Sequence, residues 1–500
     1  MMGHKDRSFQ PLINISVEDL VPADHFYRHL DRSLDLSFVR DLVRDCYSPL
    51  GRPSIDPVVF FKLQFVLFFE GLRSERQLMR VVADRLSLRW YLGYDLWEPL
   101  PDHSSLTKIR ERYGLEVFRR FFDEVVEQCI ESGLVWGEEL YIDATKVEAN
   151  ASLDSVAPRF AVEAHLAELF PSADASVPET HEVERQPEPL PVSLPDAVRE
   201  EFAATNAARH DWIAEEGRQD RDAKHGHYQR VSDYKASRTD LDATLMPLKG
   251  GVHLGYHTHY VVDGGKGRIV LQALVTPSEV MENQPALDLL WRTSFRWKLR
   301  PHQVTGDTTY GTIENIVALE EAGIKAFVPL SDFDARTPYF GQRDFRYDPQ
   351  SDSYTCPAGQ SLPLWHRKHT ERTIRYKAEA ATCNTCPLKP RCTGSDQGRQ
   401  VSRHFDEEYL ERVRGYHGTE PYEKARRKRQ VWVEPMFAEG KQWHGLARFR
   451  LRRLRRVNIE AQLMATGQNL KRLLSWRGWG KRHFPGGAAG VAVAPIHLQP

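Results

Sequence analysis

The chain has 500 residues, of which 41% are hydrophobic and 27% charged, and its formal net charge is −1. This composition is typical of a soluble protein with two or three domains, and it excludes a disordered or fibrous chain. The longest apolar run, residues 58–69, is interrupted by Lys62 and Gln64 and is too short to span a bilayer. We therefore expect a buried helix there and no membrane partner. The first residues lack the apolar core of a signal peptide, which predicts a cytoplasmic location.

Charge is distributed unevenly along the chain. Residues 154–222 contain 16 acidic and 6 basic residues with seven prolines, which indicates an exposed insert. Residues 411–482 contain 19 Lys and Arg against 6 Glu. An arginine run within that region favours an anionic partner over a solvated helix face, because apolar residues interleave the charges. The predicted phosphate contacts of this run are Arg448, Arg450, Arg452, Arg453, Arg455 and Arg456.

Residues 1–135 are predicted to be helical. Asp56 followed by Pro57 is a good helix start, and Ser74 with Gln77 forms a capping-box pattern. Apolar residues over 117–129 recur on one helical face. The short helices that end near Gly114 fit a helix-turn-helix or a plain helical bundle, and the sequence does not choose between the two.

The hydrophobic period then changes to that of strands. A strand that begins at Glu139 loses its apolar character at Asp143, and residues 254–277 predict a β-hairpin with two turn glycines. A helix over 282–298, a strand that stops at Asp307, another helix and a strand over 325–330 follow. The predicted order is strand, strand, strand, helix, strand, helix, strand.

Acids thus end the apolar part of two predicted strands. A carboxylate at the end of a buried strand is held at the rim of the sheet, and neighbouring strands would bring Asp143 and Asp307 to shared divalent cations. Mg²⁺ prefers oxygen ligands, and two such ions about 3.5–4 Å apart can clamp the attacking and leaving oxygens of a phosphodiester. The plain alternative is that each aspartate is only a strand-end turn residue.

Three motifs in this order resemble the DDE transposases of bacterial insertion sequences: YIDATKVEANAS around Asp143, GDTTYGTIEN around Asp307, and a segment over 433–473 in which Glu434 stands at the third acid. The resemblance implies an α/β RNase H-like catalytic core, a mixed sheet flanked by helices, with a helical, DNA-binding N-terminal domain and inserts. It also implies that the three acids hold two Mg²⁺ ions, for which Mn²⁺ can substitute.

The implied partners are the terminal inverted repeats of the element and target DNA, bound by a homodimer. The implied activity is hydrolysis at the element's end and attack of the freed 3′-hydroxyl on target DNA, two in-line phosphoryl transfers at one site. A metal-dependent nuclease and a non-catalytic DNA-binding protein derived from a transposase are the alternatives, and the presence of all three acids argues against the second.

The resemblance also divides the chain. The predicted regions are a helical domain (1–135), a catalytic core (136–152 and 223–332), an acidic insert (153–222), a cysteine-bearing insert (333–400), a basic segment with the third acid (401–483) and a tail (484–500).

Related transposases also place Tyr seven residues before the third acid, Arg four before it and Lys seven after it. Lys441 fits this pattern, while Arg427 and Gln430 occupy the other two positions, so we expect DNA contacts from Lys441 and Arg427. Pro435 biases Glu434 away from the helical region. Glu439 is the nearest competitor for the role of third acid.

Four of the six cysteines form a cluster in the sequence: Cys356, Cys383, Cys386 and Cys392. Thiolates at such spacings suit a structural, tetrahedral zinc ion. The long separation of the first two leaves a cluster of packed thiols as the alternative. His253, His257 and His259 are expected to be packed or solvent-facing residues rather than metal ligands.

Overall fold

Helices and strands occupy different parts of this chain. The computed structural model describes residues 16–48, 50, 54–159, 235–331, 334 and 337–480. Residues 160–222 of the predicted acidic insert and the predicted tail lie outside the described residues. Contacts divide the chain into a first unit, 1–132 with 466–500, and a second unit, 133–465. Among the described residues no helix is long and apolar enough to cross a membrane.

The first unit is helical, as the sequence predicts. Asp56 accepts the N–H of Val58 at 2.8 Å, and Pro57 fills the first helical position, where a missing N–H costs nothing. Ser74 accepts the N–H of Gln77, as its capping pattern predicts. The helices are α1 (Val17–Leu20), α2 (Phe26–Ser33), α3 (Val39–Leu42), α4 (Pro57–Phe69), α5 (Glu75–Asp84), α6 (Leu86–Leu92) and α7 (His103–Glu131), with the end of a long C-terminal helix.

The core of this unit lies between α4 and α7. The predicted apolar face of residues 117–129 is buried, and the ring of Phe121 stacks on that of Phe61 with centroids 3.9 Å apart. Gly114 has a φ of 66° inside α7, so the helix is kinked at a residue that adopts this conformation without steric cost.

The second unit contains a mixed sheet, as expected. Its strands are β1 (Glu139–Glu148), β4 (Thr244–Leu248), β5 (Gly251–Asp263), β6 (Val270–Pro277), β7 (Gln303–Thr305) and β8 (Lys325–Phe327), while β2 (Val156–Pro158) and β3 (Lys235–Ser237) form a separate pair. Strand β5 pairs antiparallel with β1, β4 and β6, and β1, β7 and β8 pair in parallel. Helices α8 (Ala286–Arg296) and α9 (Ile313–Glu321) connect β6, β7 and β8.

The predicted end of the first strand was wrong. Asp143 is the fifth of ten residues of β1, because β5 continues to pair with β1 as far as Glu148. The other neighbour, β7, pairs only with residues 139–141. The backbone at Asp143 is therefore paired on one side only, and the opening of the sheet lies beside it. The predicted hairpin is confirmed, since β5 and β6 flank the turn.

The cysteine-bearing region folds as a second sheet, which the sequence analysis did not anticipate. Its strands are β9 (Arg346–Asp348), β10 (Ser353–Thr355), β11 (Ser361–Lys368), β12 (Thr373–Lys377) and β13 (Gln400–His404), all paired with their chain neighbours in antiparallel order. It has a small core of its own around Tyr354, Leu362 and Tyr376. Helices α10 (Ala380–Asn384) and α11 (Lys389–Cys392) lie between β12 and β13.

The remaining helices carry the third acid and the basic segment. They are α12 (Glu407–Tyr416), α13 (Glu420–Lys428), α14 (Glu434–Trp443) and α15 (Leu454–Trp476), and a five-residue π-helical turn joins α13 to α14. Helix α13 packs on β8 through Tyr422 and Phe327. Helix α14 packs on β5, where Phe437 stacks on Tyr260 with ring centroids 4.7 Å apart.

Candidate functional site

Three separate elements bring the predicted acids to one place. Asp143 projects from the middle of β1, and Asp307 follows β7, where its side chain accepts the N–H of Thr309 at 2.8 Å. Glu434 is the first residue of α14. The parallel pairing of β1 and β7 brings the two aspartates to the same edge of the sheet.

One guanidinium lies among all three carboxylates. The Nη2 atom of Arg429 is 3.3 Å from Asp143 Oδ1 and 3.9 Å from Asp307 Oδ2, and its Nη1 atom is 2.9 Å from Glu434 Oε1. The side chains of Arg429 and Asp143 are 18% and 7% exposed, so this charge pairing takes place largely away from solvent. The acids are thus arranged around a positive charge of the chain itself.

A π-helical turn puts Arg429 in that position. The N–H of Glu434 bonds to the carbonyl of Arg429, five residues earlier, instead of four as in an α-helix. In an uninterrupted α-helix a residue five positions before Glu434 would be rotated about 140° away from it, because each residue advances about 100°. The wider turn brings Arg429 onto the face of Glu434.

Pro435 accounts for the wider turn. In a continuous α-helix the ring of Pro435 would clash with the carbonyl of Val431, and its missing N–H would leave that carbonyl unbonded. The predicted bias of Glu434 away from the helical region was nevertheless wrong, since its φ of −55° and ψ of −42° are helical. The strain is relieved in the preceding turn and not at Glu434.

This turn also explains why sequence spacing missed Arg429. A count of four residues back from the acid reaches Gln430, whose side chain is exposed, whereas the structure brings in the residue before it. The only sequence signal was Pro435 directly after the acid.

Burial makes the charge of Asp143 costly. Burial raises the pKa of Asp143 to about 6, against the opposing effects of Arg429 and of the Ala144 N–H, which donates to Oδ1 at 2.9 Å. A fourth carboxylate, Glu282, was not predicted. Burial raises its pKa, and the nearby charges of Asp307 and Asp143 raise it further.

Neutral polar groups surround the acids. Tyr310 is buried, and its hydroxyl has no hydrogen-bond partner among the described residues, although the charges of Asp143, Glu282 and Asp307 reach it. His257 Nε2 lies 3.6 Å from Glu282 Oε1. Burial lowers the pKa of His259 to about 3, and it bonds to Thr276 at 2.9 Å, so this histidine is a neutral packed residue.

The two competitors for the third acid face different partners. Glu439 Oε1 lies 3.8 Å from His444 Nε2, whereas Glu434 reaches the arginine that pairs with both aspartates. Lys441 lies on the same helix as Glu434, two turns further on, and burial lowers its pKa. Arg427 is exposed on α13.

A lysine fixes the arginine-bearing helix to the first strand. Lys428 Nζ lies 2.6 Å from Glu139 Oε2, and its ammonium lies over the rings of Trp136 and Trp432 at 5.2 and 5.1 Å. Because Glu139 begins the strand that carries Asp143, this contact helps to set the position of Arg429.

The predicted arginine run lies beside the end of β1. The N–H of Glu148 bonds to the carbonyl of Ala447, and the N–H of Phe449 bonds to the carbonyl of Glu148. Arg448 and Arg452 each donate from Nε to a backbone carbonyl, of Ala149 at 3.1 Å and of Asn150 at 2.9 Å. Arg448, Arg452 and Arg455 are exposed, and Arg450, Arg453 and Arg456 are half-buried.

The four predicted cysteines come together. Cys356, Cys383, Cys386 and Cys392 line one pocket in the second sheet region, and all are free thiols. The sulfur of Cys356 accepts the N–H of Gln360 at 3.3 Å, and that of Cys383 accepts the N–H of Arg399 at 3.5 Å. The first cysteine thus joins the other three despite its distance in sequence.

Neither cluster has the geometry of a finished metal site. Within the parts of the chain that the structure describes, no group of three or more His, Cys, Asp or Glu side chains is arranged to hold a metal ion. At the acids the donor chemistry nevertheless fits Mg²⁺, because carboxylate oxygens surround one cationic group and a buried hydroxyl without a partner lies beside them.

Two family models match the chain. A model described as a transposase DDE domain matches residues 355–474, and one described as a transposase domain (DUF772) matches residues 15–112. The first match contains the cysteines, Glu434 and the arginine run, while Asp143 and Asp307 lie outside both matches. No curated protein and no solved structure matches the chain.

We predict that Pro435→Ala closes the π-helical turn. Alanine has the N–H and lacks the ring, so we expect an uninterrupted α-helix in which Glu434 bonds to the carbonyl of Gln430 and Arg429 turns away from the acids. A crystal structure of the variant measures this directly. A π-helical turn that persists with alanine would show that Pro435 is not its cause.

Proposed function

The chain is a DDE transposase of insertion sequences, and from that premise we propose that it binds the terminal inverted repeats of its element and catalyses DNA strand cleavage and strand transfer. The observation that carries this proposal is the meeting of Asp143, Asp307 and Glu434 around one cationic group at an open edge of the sheet. The two aspartates lie outside the matched ranges, so the geometry selects them independently of the matches.

In this proposal Asp143, Asp307 and Glu434 hold the divalent ions, Mg²⁺ or Mn²⁺. Such ions polarise the attacking oxygen and stabilise the charge that develops on the leaving oxygen of the phosphodiester. The chain's own contribution is rigid placement: β1 and β7 fix two carboxylates on a paired sheet, and contacts of α13 and α14 with the sheet fix the third.

DNA affinity is assigned to the basic surfaces and not to the acids. The exposed arginines of residues 448–456 lie alongside the last residues of β1, the strand that carries Asp143. A phosphate backbone held there would run close to the acids. Lys441 and Arg427 are proposed as further phosphate contacts, the terminal repeats and target DNA as the ligands, and a homodimer as the DNA-bound form.

We predict that Asp143→Ala, Asp307→Ala and Glu434→Ala each abolish cleavage and strand transfer in Mg²⁺ while they leave binding to element ends intact. The carboxylates act on the chemistry, whereas the arginines supply most of the affinity. The assay uses labelled end DNA for cleavage, pre-cut ends for strand transfer and a mobility shift for binding.

Glu439→Ala is the matched control on the same helix, because Glu439 faces His444, and it should keep most activity. If Glu439 proved essential and Glu434 dispensable, the assignment of the third acid would be overturned. Cleavage without joining of pre-cut ends would instead identify a nuclease.

For the arginine run, we predict that Arg448→Gln, Arg452→Gln and Arg455→Gln combined weaken binding to duplex DNA and flatten its salt dependence by about 0.9 in logarithmic slope per lost phosphate contact. Binding measured across a salt series gives the slope. Arg292→Gln, an exposed arginine paired with Asp288 on α8, is the control. An unchanged slope in the triple variant would assign the run to intramolecular contacts such as those to Ala149 and Asn150.

We also propose that the four thiols close around one structural zinc ion. Their convergence from separate parts of the chain and the N–H groups donated to two sulfurs support thiolate ligands, although the thiols must turn from their present arrangement to surround an ion.

We predict about one zinc per chain in protein purified without chelator, and its loss in Cys383→Ser with Cys386→Ser. Elemental analysis measures the metal, and thermal unfolding should show that the variant is less stable because a structural ion contributes to folding. Cys129→Ser, at a buried thiol outside this pocket, is the control for removal of a cysteine. Zinc-free protein with four freely reactive thiols would eliminate the site.

A further inference from the structure

We propose that Arg429 is a built-in counter-ion of the acidic site, which occupies the place of the divalent ions and must leave before they bind. The inference rests on the proposed function, since it concerns the same three acids. Its geometric basis is that one guanidinium reaches all three carboxylates, at 3.3, 3.9 and 2.9 Å. No other side chain in the described residues forms an ion pair with either Asp143 or Glu434.

Electrostatics explains why the protein needs such a charge. Asp143 is buried, Glu282 adds a fourth carboxylate to the surroundings, and like charges in a partly buried site repel strongly. The positive charge of Arg429 offsets this repulsion in the absence of divalent ions. The same charge would repel a divalent ion placed among the acids, so the arginine and the ions exclude each other.

The present arrangement of the acids agrees with this exclusion. The carboxylates surround the guanidinium and, among the described residues, no three acidic, histidine or cysteine side chains are spaced for a metal ion. A guanidinium is wider than an ion, so its departure would let the carboxylates approach one another.

The π-helical turn supplies the movement. Its closure into an α-helical turn would rotate Arg429 away from Glu434 by about one residue step, roughly 100°, without any displacement of β1 or β7. The five residues from Arg429 to Val433 are thus the element that moves, and Asp143 and Asp307 remain fixed on the sheet.

The inference is tested by the binding of Mn²⁺ alone, without DNA, followed by the loss of the electron paramagnetic resonance signal of the free ion. We expect Arg429→Gln to bind Mn²⁺ about tenfold more tightly or better than the natural chain, since a glutamine removes the repulsive charge. Arg426→Gln, which removes an exposed arginine that pairs with Glu423 on the same helix, should bind as the natural chain does.

A second readout covers the case in which the variant is poorly folded. Without divalent ions Arg429→Gln should melt at a lower temperature than the natural chain, because the acids have lost their counter-ion, and Mn²⁺ should raise its melting temperature by more. Equal Mn²⁺ affinity and an equal rise in melting temperature in both proteins would overturn the inference.

Asp143→Asn separates this failure from failure of the proposed function. If Asp143→Asn loses Mn²⁺ binding and Arg429→Gln gains nothing, the acids hold the ion and Arg429 is not its competitor. If Asp143→Asn binds Mn²⁺ as the natural chain does, the ion binds elsewhere and both the metal assignment and the inference fail.

Discussion

The site depends on one electrostatic constraint: carboxylates from three elements lie close together in a partly buried place, and something positive must lie among them. In this protein the positive group is the guanidinium of Arg429, which bonds to Asp143 and Glu434 and lies near Asp307. Without compensation, such a cluster would become protonated or would spread apart. The cost of assembling the site is therefore offset by the same helix that delivers its third acid.

That helix is shaped by a single residue. Pro435 cannot accept the geometry of a continuous α-helix, the chain responds with a π-helical turn, and the turn changes which arginine faces the acids. The contacts of Lys428 with Glu139, of Tyr422 with Phe327 and of Phe437 with Tyr260 then fix the two helical segments on either side of the turn. Local strain, tertiary packing and the charge at the site are thus linked through one short segment.

Much of the fold follows from patterns that sequence states directly. The cap at Asp56, the buried face of α7 and the β5–β6 hairpin come from capping and hydrophobic period, which depend on near neighbours. The length of β1 beyond Asp143 depends on a partner more than a hundred residues away, so an apolar run could not define it. The second sheet was missed because its strands are short and largely exposed, with little alternation to reveal them.

The site was predictable only in part for a related reason. Asp143, Asp307 and Glu434 carry recognisable motifs, whereas Arg429, Glu282 and Tyr310 become neighbours of the acids only through the three-dimensional fold. Arg429 was missed because residue counting assumes a regular α-helix, and a π-helical turn shifts that count by one.

The most direct test of the central claim is the position of Mn²⁺ in crystals of the protein with DNA that carries the element's ends, located by anomalous scattering. The account predicts Mn²⁺ between the carboxylates of Asp143, Asp307 and Glu434, with the guanidinium of Arg429 displaced from all three. Mn²⁺ bound at other residues, with Arg429 still paired to Asp143 and Glu434, would contradict it.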